Sequence, residues 1–367
     1  MPHVPHVKLF IPGPTEVRPD VLAAMAEPVI SHRSSDCVAL QKEIAAAAAT
    51  IMGTKSPVLF STSSATGLME AAIRNGVNER VLSLVCGAFG KRWHRIALDC
   101  GKEADLLEVP WGRAIDPARV DEALRTGHYD AVTLVHNESS TGVANPLAAI
   151  ADVVTKHPGV LFLVDTVSSL GGMPIRVDAL GIDMCLAGVQ KALALPPGFS
   201  LCAVSERLLA RARDMKGKGF YFDLTRIAEK AQAGQALTTP STPHMAAARV
   251  QFARILEEGL ERRWERHRRM GAMARAWAKE RFALFADEAH ASDTLTCIAN
   301  TRGIDVAALI ADLKSQGILI GNGYGDLKEQ AFRVAHMGEI TPEMLQDVLD
   351  RIDRHIAALP SRSGTTA

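Results

Sequence analysis

No charge of one sign dominates this chain of 367 residues: lysine plus arginine number 41, and aspartate plus glutamate number 41. Without a net field there is nothing broad to recruit nucleic acid or an anionic membrane, so any charged ligand must be met by local groups. The six cysteines, at 37, 86, 100, 185, 202 and 297, form no CxxC pair, and several lie within apolar stretches. Buried free thiols in a reducing cytoplasm are therefore expected, not a disulfide framework. The histidines are scattered without HExxH-like spacing, so no metal site is expected. No apolar run reaches the length of a membrane span, and the amino terminus has no basic region followed by an apolar one, so neither anchoring nor export is expected. There is no internal repeat.

What is present is core. Hydrophobic residues make up 47% of the chain and charged residues 22%. That suffices for two domains. Short apolar runs alternate with helical patterns: Val58–Phe60, Val81–Cys86, Leu106–Val109, Ala131–Val135, Val160–Val164, Met184–Ala187 and Ser200–Val204. The alternation predicts an α/β architecture, a mostly parallel seven-stranded sheet between helices, with ligands beyond the carboxyl ends of the strands. From Pro243 the pattern turns helical, and the charge-dense stretch 256–270 reads as a long solvated helix joining two domains. A smaller α+β unit follows, with strands near Thr294–Ala299, Ile318 and Phe332–Ala335 and helices near Asp305–Gln316 and Pro342–Ala358. The expected division is 1–258, including an amino-terminal arm, and 259–367, with a frayed tail after Pro360.

Four local features carry chemistry. Lys191 lies in small, apolar surroundings closed by Pro196-Pro197-Gly198. Burial of an ammonium is costly unless something uses it, and a lysine at the mouth of a core element is placed for Schiff-base chemistry. The turn Ser61–Gly67 follows a strand and opens a helix, a potential phosphate cradle or simply a helix cap. Asp165 ends the apolar strand Val160–Val164, where a carboxylate faces the ligand crevice. Arg333 stands within an apolar strand and calls for a carboxylate partner, internal or from a substrate. Gly321-Asn-Gly-Tyr-Gly325 begins like a dinucleotide loop but has Asp326 where a third glycine belongs.

The order and spacing of Pro12-Gly-Pro-Thr15, Ser31-His-Arg33, Glu138-Ser-Ser-Thr-Gly142, Val164–Gly172, Gln190-Lys-Ala-Leu193 and Phe332-Arg333 resemble the class V, fold-type I aminotransferases, nearest the alanine:glyoxylate and serine:pyruvate group. The resemblance covers nearly the whole chain. It implies pyridoxal 5′-phosphate as cofactor and a homodimer with a shared site. It also implies ping-pong transfer of the amino group of alanine, serine or aspartate to glyoxylate or pyruvate. Lys191 would link to the cofactor and shuttle a proton, and Asp165 would pair with the ring nitrogen. Ser64, Ala65, Thr66 and Gln190 would hold the phosphate, with Thr239 coming from the second subunit. Phe89 would stack on the ring, Val167 press on its other face, and Ser140 lie near the phenolic oxygen. Gly13 and Arg333 would meet the substrate. Phosphoserine aminotransferase is the alternative, with His32, Arg33 and His336 as a second anion site. A catalytically silent relative would show damage at Lys191 or Asp165, and both are intact.

Overall fold

The computed structural model describes residues 6–359. The amino-terminal pentapeptide and the tail after Pro360 lie outside the described residues.

All seven expected apolar runs form strands of one sheet, in the order Val58–Ser61, Ser200–Val204, Met184–Gly188, Leu161–Asp165, Ala131–Val135, Arg80–Val85 and Glu103–Glu108. Only Ser200–Val204 runs antiparallel to its neighbours. The inner strands read as apolar because both faces are covered, whereas the edge strand Glu103–Glu108 is only part buried. On Leu161–Asp165, Phe162 and Val164 enter one core cluster, and Leu161 and Leu163 enter the other. Side chains alternate across a strand, so one run feeds two helical layers. This is the fold-type I architecture.

A second sheet has the order Lys8–Phe10, Ile318–Asn322, Ala331–Ala335, Leu295–Ala299 and Ala283–Leu284. Its first strand comes from the amino-terminal arm, pairing in parallel with Ile318–Asn322. The arm thus adds a strand to the sheet of the carboxyl-terminal half, which periodicity in the second half alone does not reveal. The helices Val306–Ser315 and Pro342–Ala358 cover this sheet, with Leu309, Leu313, Val348 and Ile352 in the same core cluster as Phe332.

The expected solvated helix over 256–270 is corrected in two ways. Gly259, at φ 81°, separates the helix Thr242–Glu258 from the helix Leu260–Arg281. The second helix is also far from solvated along one side. Arg263, His267, Met270, Ala274 and Trp277 are all buried, spaced three or four residues apart on a single stripe. Arg263 is only 1% exposed and uses its guanidinium to join the two sheet-bearing halves. It donates to the carbonyls of Gly171 (2.9 Å), Ala192 (3.0 Å) and Gly338 (3.2 Å) and to the carboxylates of Glu258 (2.7 Å) and Glu339 (3.0 Å). Charge density in the sequence marks this helix as polar but cannot tell a solvated arginine from one whose every donor is satisfied indoors.

Candidate active site

The cavity that gathers the chemistry sits where the sheet topology puts it. Each wall segment follows the carboxyl end of a strand in the large sheet: Ser64–Thr66 after Val58–Ser61, Phe89 after Arg80–Val85, and Asn137 and Ser139 after Ala131–Val135. Asp165, Val167 and Ser168 close Leu161–Asp165, and Gln190 and Lys191 follow Met184–Gly188. The enclosed volume is about 310 Å³. It opens into a wider cleft of about 550 Å³, walled by Pro12, Gly13, Tyr324 and Arg333 and sharing Phe89, Arg92, Ser139, Gln190 and Lys191.

Burial makes the ammonium form of Lys191 less favourable than it is in water. Its Nζ has two long hydrogen bonds, to Ser168 Oγ (3.2 Å) and Ser139 Oγ (3.3 Å), and it lies 5.1 Å from the Phe89 ring centroid. Burial pulls its pKa down to about 8, against the opposing pull of Asp165 and Glu138; Arg333 and Arg92 push the same way as burial. The loop carrying it is pinned from outside, since Thr15 donates its N–H to the Gln190 carbonyl (3.0 Å) and its hydroxyl to that of Lys191 (2.9 Å). Gly13 rests directly on the lysine stem. Its φ is +125°, and a Cβ there would fall 3.1 Å from Lys191 Cγ, so both backbone and space call for glycine.

Asp165 is buried, and burial raises its pKa to about 6, opposed by the Val167 N–H and Lys191. Its Oδ1 accepts from Val167 N (2.7 Å), while Oδ2 takes no hydrogen bond from the described residues, and the side chain lines the cavity. The helix Ala65–Gly76 begins at Ser64 with no side-chain cap. Ser64, Ala65 and Thr66 line the cavity, so the positive dipole end of the helix lies at its wall, which suits an anion.

Arg333 is buried on the Ala331–Ala335 strand, and of the two possible partners the sequence left open, the internal carboxylate is absent. Its donors go to two carbonyls, Nε to Asn322 (2.9 Å) and Nη1 to Ser139 (3.0 Å), and no carboxylate of the described residues bridges to it. One face of the fork is left for the cleft.

Ser64, Ala65, Thr66, Phe89, Asp165, Val167, Gln190 and Lys191 are brought together, with Gly13 and Arg333 in the adjoining cleft. One residue expected from this chain is not. Ser140 is fully buried behind the wall: its hydroxyl donates to Glu138 Oε1 (2.6 Å) and accepts from Ala88 N (3.0 Å). Its neighbour Ser139 takes the cavity position. Thr239 is exposed and does not line the cavity of its own chain. His336, offered as part of a second anion site, is also displaced. It is buried against Thr296 Oγ1 (3.0 Å), burial takes its pKa to about 3, and it is neutral. Residues that sequence reading passed over are Arg92, Asn137, Ser139, Ser168 and Tyr324. Arg92 was findable, because it follows Phe89 by three positions on one helix and so shares its face. Tyr324 stands in the glycine run dismissed as a dinucleotide loop; its ring is 5.5 Å from Phe89 and its hydroxyl accepts from Arg92 (3.1 Å).

A buried amine at a strand end, a buried carboxylate across from it and a helix amino terminus for an anion, all on a doubly covered parallel sheet, define a fold-type I enzyme of covalent lysine chemistry. The chain belongs to the class-V aminotransferase family, which it matches over residues 9–326. It is 39% identical to an uncharacterized aminotransferase of Methanocaldococcus jannaschii, across 90% of this chain and 87% of that protein. It is 31% identical to a serine–glyoxylate aminotransferase of Methylorubrum extorquens, across 90% and 86%. Among solved structures, an alanine–glyoxylate aminotransferase from Nostoc superposes with a TM-score of 0.92 at 29% identity, covering 97% of both chains.

Proposed function

We propose that the chain is a pyridoxal 5′-phosphate-dependent aminotransferase that moves the amino group of a small amino acid, such as alanine, serine or aspartate, to glyoxylate or pyruvate in ping-pong fashion. The observation that carries this reading is the buried, destabilised Lys191 ammonium facing Asp165 in one cavity. The donor set fits the cofactor. The uncapped turn Ser64–Thr66, with Gln190, suits the phosphate, and the open Oδ2 of Asp165 suits a protonated ring nitrogen. When bound, pyridoxal phosphate supplies an electron sink for the bond broken at the substrate Cα.

The protein's own groups do the rest. Lys191, with a pKa of about 8, has a neutral fraction near physiological pH that accepts the Cα proton and returns it. Ser139 and Ser168 hold that amine in place. Arg333 grips the substrate carboxylate with the donors its carbonyl partners leave free. Phe89 and Val167 would confine the cofactor ring, and Ser139, in place of Ser140, would meet its phenolic oxygen. Thr239 reaching the site of a partner subunit, the homodimer, the cytoplasmic location and the division into 1–258 and 259–367 belong to the same proposal, the arm strand Lys8–Phe10 being counted with the second unit. Among the described residues no helix is long and apolar enough to cross a membrane.

Phosphoserine is not favoured, since of the residues offered for its second anion site the buried His336 supplies no anion contact and neither His32 nor Arg33 lines the cavity or the cleft of this chain. The test is the first half-reaction: purified yellow enzyme mixed with single amino acids and no acceptor. Loss of the visible band with alanine or serine is expected. Bleaching by phosphoserine alone moves the assignment to that donor, and a colourless protein that cannot be reconstituted with pyridoxal phosphate overturns it.

A further inference from the structure

Glu138 has no role in the chemistry described so far, yet its carboxylate is fully buried behind the cavity wall. It sits on the short strand Asn137–Glu138, which pairs with Val143–Ala144, and the turn between them closes with Gly142 N donating to the Glu138 carbonyl (2.9 Å). Its two oxygens face two different segments. Oε2 accepts from the backbone N–H of Phe89 and of Gly90, both at 3.0 Å. Oε1 accepts from Ser140 N (3.1 Å) and Ser140 Oγ (2.6 Å). Ser140, its proton committed to the carboxylate, accepts from Ala88 N (3.0 Å).

The helix Ala88–Asp99 begins after Gly87, which has no side chain to cap it. Its first three N–H groups are instead satisfied by the Glu138–Ser140 pair, 48 to 52 residues further along the chain. A carboxylate at a helix amino terminus is also favoured by the dipole. The approach is close: a Cβ on Gly87 would fall 2.5 Å from both Glu138 Cγ and Ser140 Oγ, so this contact tolerates no side chain at 87. The helix start so fixed carries Phe89, whose ring lies over Lys191 Nζ. The other end of the same turn carries Ser139, whose hydroxyl accepts from Lys191 and whose carbonyl accepts from Arg333.

We propose that Glu138 is a positioning residue of this site: one buried carboxylate locks the Phe89 helix start to the Ser139–Ser140 turn, setting ring and hydroxyl against the Lys191 amine. Glu138 touches neither the amine nor the cavity; it acts through Phe89 and Ser139. The same charge also opposes the fall in the Lys191 pKa. For Phe89 as a stacking residue the inference rests on the function proposed above, but the lock itself does not.

Hydrogen–deuterium exchange on the full chain separates the two. Glu138→Leu removes both acceptor oxygens at similar size, so exchange at Phe89 and Gly90 should accelerate about tenfold or more, with the amides of Leu161–Asp165 unchanged. Glu138→Asp keeps the charge but not the reach, and should fail in the same way; recovery by Asp would overturn the geometric lock in favour of a charge effect. Ser140→Ala, a milder change should Glu138→Leu not fold, should accelerate exchange at Ala88 alone. In the same variants loaded with pyridoxal phosphate, the induced circular dichroism of the cofactor band should fall while the cofactor stays bound. Unchanged exchange at Phe89 and Gly90 in Glu138→Leu overturns the proposal whether or not the protein binds cofactor; accelerated exchange in a chain that binds none leaves the lock standing and removes the function instead.

Discussion

Two buried cations, Lys191 and Arg263, flank one stretch of backbone, because Arg263 donates to the carbonyl of Ala192, the residue after Lys191. Lys191 has two hydroxyl partners at the long end of hydrogen bonding and no carboxylate within ion-pair distance among the described residues. Arg263 has five bonds, two of them to carboxylates. The two illustrate what a buried charge is for. A charge fully surrounded by acceptors is structure, since its desolvation is offset on every side. A charge left short of partners is unstable as a charge, and that instability makes it a reagent near neutral pH.

The comparison breaks most visibly by deleting the reagent. Lys191→Ala should lower kcat for transamination by at least about 10³-fold, because covalent and acid–base roles vanish together; single-turnover kinetics with alanine and glyoxylate read this, and full activity in the variant would end the mechanism. Removing the structural charge should cost stability instead. Arg263→Met should lower unfolding free energy by about 3–5 kcal/mol, leaving the part-buried Glu339 carboxylate without its guanidinium partner, as measured by urea denaturation. The loss should be accompanied by weaker docking of the Gly338 segment on Ala192, both of which Arg263 bridges.

Arg333 lies between the extremes, satisfied on one side by carbonyls and open on the other. Arg333→Gln should raise KM for the amino-acid donor on the order of 10- to 100-fold with a smaller change in kcat, since one charge-assisted clamp is lost; steady-state kinetics decide.

The smallest effect is on stability itself. For Lys191 the folded pKa, about 8, lies below the ordinary 10.5, so the unfolded chain binds more protons between those values. Stability of the cofactor-free protein should therefore rise with pH from about 8 to 10.5, the penalty being fully present below 8. Lys191→Met should remove that rise and stabilise the cofactor-free chain at pH 7 by on the order of 1–3 kcal/mol. Asp165 acts with the opposite proton count. Its folded pKa of about 6 exceeds 3.8, so stability should fall as pH rises from 3.8 through 6. Thermal melts of the apoprotein across pH 4–11 separate the two windows.

Much of this was legible in the chain. Lys191 and Asp165 could be read because each interrupts or ends an apolar run, and an ionisable group at a core boundary is conspicuous without any alignment. Gly13 could be tied to the site only by resemblance; its reason, the lysine stem lying on it, is a contact across 178 positions. The choice between Ser139 and Ser140 was not legible. Two adjacent serines in a turn are equivalent in sequence, and Glu138, by drawing in the hydroxyl of the second, leaves the first to the cavity. Arg263 was misread because its partners lie 71 to 92 residues away or past a helix break, while its neighbours in sequence are charged.

The sequence by itself determined the strands of the large sheet, the limits of the last two helices and the position of Asp165 at a strand end, because periodicity, caps and breakers act over a few residues at a time. The tertiary structure alone decided which buried charges are satisfied and which are left reactive. That depends on acceptors delivered from distant segments, and the free energy of a buried charge is set by what surrounds it, not by what precedes it in the chain.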